Sequence, residues 1–167
     1  MIPKIAAGAV FLWCAVVIAA DDYQFRIVPD RILVILFTTG ALYGLLAGDP
    51  LGEDLEDTIS ALAFRSAVPG LSALLVALIY KAVRGRDGLG LGDIKLIAAA
   101  GVWLPVMGSF YAIAAASIFA LAGTVAIALW RRKAAALLDS LPFAVFLAPA
   151  FWLLWLLDEV KLLPSLN

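Results

Sequence analysis

Long apolar stretches alternate with short polar ones along the whole chain, and the apolar stretches are of bilayer-crossing length. A helix needs about 20 mostly apolar residues to cross the hydrocarbon, with a range of about 17–25. Six segments approximate that pattern: Ile2–Ala20, Ile32–Gly48, Ile59–Val83, Ile94–Gly108, Phe110–Trp130 and Leu141–Leu157. The fourth is short, and Gly108 with Ser109 leaves almost no loop before the fifth, so a tight hairpin is predicted there. No internal repeat or linker interrupts the series. The expected fold is an all-α integral membrane protein, a six-span bundle forming one domain over residues 1–167.

Composition agrees. Hydrophobic residues make up 65% of the chain, well above the roughly 45–50% of a soluble domain. There is no histidine, which excludes histidine acid–base chemistry and His-ligated metals. The single cysteine, Cys14, excludes an internal disulfide and a CxxC zinc site. No cofactor, metal or nucleic acid is expected.

The polar connections differ in sign. The segment after the second span reads DPLGEDLED and lacks Lys and Arg, whereas Arg26, Arg31, Lys81, Arg84, Arg86, Arg131, Arg132 and Lys133 follow the first, third and fifth spans. Basic loops stay in the cytoplasm, so this bias puts both termini on the outer side. The alternative is a cleaved signal peptide ending near Ala19, but Val17 and Ile18 are bulky for the positions before a cut.

Two acidic side chains stand at the ends of apolar runs, Asp22 after the first and Asp93 before the fourth. Ionisable groups at membrane depth are costly and therefore candidates for function. The orientation above puts both on the cytoplasmic side. Two close carboxylates tend to share one proton, so one can take a proton from water while the other polarises a carbonyl. Gly88, Gly90 and Gly92 alternate before Asp93 and would let a substrate strand lie beside it. The plain alternative is a flexible loop with Asp93 as a first-turn anion of a helix.

The run GLGLGDIKL strongly resembles the GxGD signature of type IV prepilin peptidases in its G-x-G-D-x-K-L form, matched by Gly90, Gly92, Asp93, Lys95 and Leu96. The family's other motif is an aspartate followed seven residues later by the proline of an I-P-N-like turn, matched by Asp22 and Pro29. Asp30 stands where the family often has Asn, and LPFAVFLAPA from Leu141 is similar to its late P-F-containing helix.

The resemblance implies a membrane aspartic endopeptidase with Asp22 and Asp93 catalytic. Gly90, Gly92, Lys95 and Pro29 would shape the site or bind substrate. The implied substrate is the cytoplasmic leader of a prepilin or pseudopilin precursor. The implied setting is the bacterial inner membrane, beside pilus-assembly or secretion machinery. Larger members carry paired CxxC motifs and N-methylate the product. Without those cysteines or that length, the chain resembles the short, peptidase-only CpaA/TadV type associated with Flp pili, so methyltransferase activity is not expected. Signal peptidases and presenilins pair GxGD with Y-D and P-A-L, where this chain has Asp22–Tyr23 and Ala148–Pro149–Ala150. From another class, a small transporter or channel subunit would use the same carboxylates in a proton or cation path.

Overall fold

A computed structural model describes residues 2–47, 55–131 and 142–160, and every regular element among them is helical. The helices are α1 (Ile2–Phe25), α2 (Asp30–Ala47), α3 (Leu55–Arg84), α4 (Leu91–Gly101), α5 (Val106–Arg131) and α6 (Ala144–Glu159). By length and composition α1, α3 and α5 can each cross a membrane. Their outward faces are apolar, with Trp13, Leu75, Ile79, Phe119 and Leu121 among the exposed side chains. That is how a bundle solvated by lipid differs from one solvated by water. The basic residues Arg132 and Lys133 and the acidic Glu53 and Asp54 lie outside the described residues.

Helix α1 packs against α6 along its length, and the two run antiparallel. At one end Lys4 Nζ donates to Glu159 at 2.7 Å and the Tyr43 hydroxyl donates to the other Glu159 oxygen at 2.5 Å. Midway, Gly8 admits the Trp155 ring and its carbonyl accepts from Trp152 Nε1 at 3.2 Å. At the other end Asp22 meets the start of α6.

The interior is built on small residues. Phe11, Tyr43, Trp103 and Trp155 form one aromatic cluster. Trp103 is seated over Gly40, where its Nε1 reaches the Leu36 carbonyl at 2.9 Å. Gly44 receives Leu62, so Gly40 and Gly44, spaced four residues apart on α2, both serve packing within the bundle.

Pro69 lies inside α3. It has no N–H to give the carbonyl four residues back, that of Arg65. Gly101 packs against that carbonyl, where an added Cβ would stand 2.6 Å from the oxygen. One turn along, Gly70 contacts Ala98, and Ser66 Oγ donates to the Ala98 carbonyl at 2.8 Å.

The hairpin between α4 and α5 is displaced from its sequence expectation. It falls at residues 102–105, while Gly108 and Ser109 lie inside α5. Pro105 sets the break: the residue before a proline is pushed out of the helical region, and proline favours a helix start. Pro142 likewise lies ahead of α6, so only Pro149 is within that helix.

Candidate active site

Two chain reversals bring the motif residues to one end of the bundle. Helix α1 ends on Arg26, whose N–H bonds back to the Asp22 carbonyl and whose φ of 56° is left-handed. Glycine usually takes that position, so this exit is strained by about 1–2 kcal/mol. The chain then passes Val28 to Pro29, whose carbonyl accepts from Ile32 and Leu33 and starts α2. The second reversal leaves α3 through Gly85 at φ 69°, folds Gly88 onto the Tyr80 ring, and enters α4 at Gly90.

Asp93 lies in the first turn of α4, and its carboxylate accepts from the Gly90 N–H. This is half of a capping box, with the acidic residue reaching back to the N-cap amide. Glycine at position 90 leaves room for that bend, since a Cβ there would stand 3.2 Å from Asp93 Oδ2. Glycine at 92 serves a different contact. A Cβ there would meet the Val28 side chain at 3.0 Å, so Gly92 lets the α1–α2 reversal close on the start of α4. The glycines expected to admit a substrate strand thus admit parts of the protein itself.

Asp22 is buried, with 6% of its surface exposed, in the last turns of α1. It lies within electrostatic range of Asp93, which feels its charge, and Arg26 acts on Asp22 in turn. Its Oδ2 accepts from the Val145 N–H at 3.2 Å, and the Ala144 N–H also bonds to the carboxylate. Sequence reasoning missed this partner: LPFAV was read as the start of a span, although its helix begins with no side-chain cap of its own.

Lys95 pairs with neither candidate aspartate. Its Nζ sits 2.8 and 3.1 Å from the two oxygens of Asp30, joining the segment after Pro29 to α4. Asp21 is half-buried one position before Asp22.

From the level where Gly70 meets Ala98, α3 continues 14 residues to Arg84, about 21 Å, whereas α4 reaches back only about 10 Å to Leu91. Helix α3 therefore runs about 10 Å past the start of α4, where Asp93 lies. A cavity of about 480 Å³ lined by Phe64, Arg65, Pro105 and Met107 lies at the other end of α4, away from both aspartates. Among the described residues no cluster of three or more acidic or cysteine side chains could hold a metal ion.

A helical bundle with apolar outer faces and two carboxylates within electrostatic range of each other at one end is the architecture of a membrane protein. The type IV leader peptidase family matches residues 9–127, and the chain belongs to that family of proteases. The matched region contains Asp22, Pro29, Gly90, Gly92, Asp93 and Lys95.

Among curated proteins, a prepilin leader peptidase/N-methyltransferase of Stutzerimonas stutzeri is 31% identical over 89% of this chain and 50% of its own length. Proteins of the same name from Burkholderia pseudomallei and Klebsiella pneumoniae are 34% and 32% identical, over 87% and 58% of the chain and 45% and 40% of their own lengths. The chain spans about half the length of the curated relatives it matches. No solved structure matches it. Nothing in these comparisons favours the transport alternative.

Proposed function

We propose that this protein is an aspartic endopeptidase of the bacterial inner membrane that removes the cytoplasmic leader of type IV, Flp-type prepilin precursors. Asp22 and Asp93 are the catalytic pair. One carboxylate takes a proton from water, the other donates its proton to the scissile carbonyl, and the water oxygen attacks the carbonyl carbon. As the tetrahedral carbon collapses, the C–N bond breaks and the leaving nitrogen takes up a proton. The observation that carries this reading is that Asp22 and Asp93, 71 positions apart in the chain (93 − 22), come within electrostatic range at one end of a leader-peptidase-family bundle.

The extension of α3 past the start of α4 supports a substrate that approaches as a membrane-anchored helix with its leader outside the lipid. The six apolar segments are six spans of one domain. Arg26, Arg31, Lys81, Arg84, Arg86 and Lys95, at or beside the reversals near the site, put that end in the cytoplasm. Gly90, Gly92 and Pro29 shape the site, and Lys95 does so through Asp30.

The test is to incubate the purified protein with a pilin precursor and to sequence the new N-terminus. Asp22→Asn and Asp93→Asn are each expected to abolish cleavage while folded yield persists, and Asp21→Asn to keep most activity. Wild-type turnover by either of the first two variants refutes the pair.

A further inference from the structure

Of the groups that touch Asp22, the α6 amides belong to neither acidic motif. The first four N–H groups of a helix have no partner within it. In most helices a Ser, Thr, Asp or Asn just before the first turn takes one of them. Phe143 stands there in α6 and has no side chain able to do so. The acceptor instead comes from another helix, 123 positions away: Asp22 Oδ2, 3.2 Å from the Val145 nitrogen, with Ala144 donating to the same carboxylate. The carboxylate is buried, so these donors are not exchanged for water at little cost.

We propose that the α6 N-terminus is a positioning element of the peptidase site, its Val145 and Ala144 amides fixing the rotamer of Asp22. An N–H can only donate, so it meets a lone pair on Oδ2. With Oδ2 held by a backbone donor the plane of the carboxylate is fixed, which sets where its remaining lone pairs can meet the attacking water. The assignment rests on the catalytic reading of Asp22. It gives α6, which lies beyond the family-matched residues, a part in the reaction.

Proline at 145 tests it, because it deletes the N–H that faces Asp22. It is tolerated in a first helical turn, where that N–H has no partner within the helix. Val145→Ala keeps the N–H and changes only the side chain, so it is the reference. Cleavage of a pilin precursor is followed for both variants, with kcat and KM separated and unfolding temperatures measured alongside. Val145→Pro is expected to have a kcat at least about 10-fold below that of Val145→Ala, with KM within about twofold, since a misplacement near 1 Å costs about 10²-fold in rate. Equal kcat values overturn the proposal, as does a loss carried wholly by KM.

Should Val145→Pro fail to fold, amide hydrogen exchange decides. Protection of the Val145 amide that falls at least about 10-fold in Asp22→Ala, but persists in Asp22→Asn with its remaining acceptor oxygen, supports the contact. Protection indifferent to Asp22→Ala overturns it. Asp22→Asn that cleaves like wild type defeats the catalytic reading itself. An inactive Asp22→Asn beside a fully active Val145→Pro defeats only the positioning role.

Discussion

Gly101→Ala tests how tightly α4 is seated. The added methyl group would stand 2.6 Å from the Arg65 carbonyl oxygen and 3.1 Å from Pro69 Cγ, where ordinary contact begins near 3.4 Å. One neighbour is backbone and the other a rigid ring, so neither yields by rotating, and α4 must retreat from α3 by about 0.8 Å, the difference between 3.4 and 2.6. Overpacking of this kind costs about 1–3 kcal/mol, and replacing glycine in a helix returns up to about 1 kcal/mol. The net loss of about 1–2 kcal/mol lowers the unfolding temperature by about 2–8 °C.

The shift also reaches Asp93, eight residues along the same rigid helix and about 12 Å away. Leader cleavage should therefore slow at least about 10-fold. Tryptophan fluorescence during heating reads the first effect and precursor cleavage the second. Gly123→Ala is the control, because its methyl would meet Phe146 at an ordinary 3.4 Å. A Gly101→Ala protein that melts with the wild type refutes the close packing. One that melts early yet cleaves at the wild-type rate refutes transmission along α4.

Lys95→Ala should cost less than about 1 kcal/mol, because its pair with Asp30 is well exposed, 56% and 70% on the two side chains; a denaturation midpoint far below wild type would contradict this. Trp103→Phe deletes the pyrrole half of the indole with its bond to the Leu36 carbonyl, so more than about 0.5–1.5 kcal/mol of stability should disappear, and no change would mean that both that bond and the packing on Gly40 are idle. Cys14 is wholly buried and should react with a maleimide only as the protein unfolds, and prompt labelling of the folded protein would refute its burial.

The helical class and the two acidic motifs were legible because both are local signals. Apolar run length gives the helices, and GLGD and DYQFRIVP each announce a carboxylate at a helix end. The partners of those carboxylates were not legible, because nothing local specifies them. Lys95 sits two residues from Asp93 in sequence, yet the helix carries it outward to Asp30. Val145 contributes only its backbone N–H, which leaves no trace in residue identity. At Gly92 the approaching group is Val28, which nothing beside Gly92 in the chain announces. The α4–α5 hairpin lies away from the Gly108–Ser109 pair because Pro105 carries the stronger stereochemical constraint.

The pairing of α1 with α6 has a consequence for biosynthesis. When Asp22 emerges from the ribosome, the amides that will hold it have still to be translated, 123 codons later. The surroundings of this acid are therefore completed among the last events of synthesis, when α6 settles beside α1.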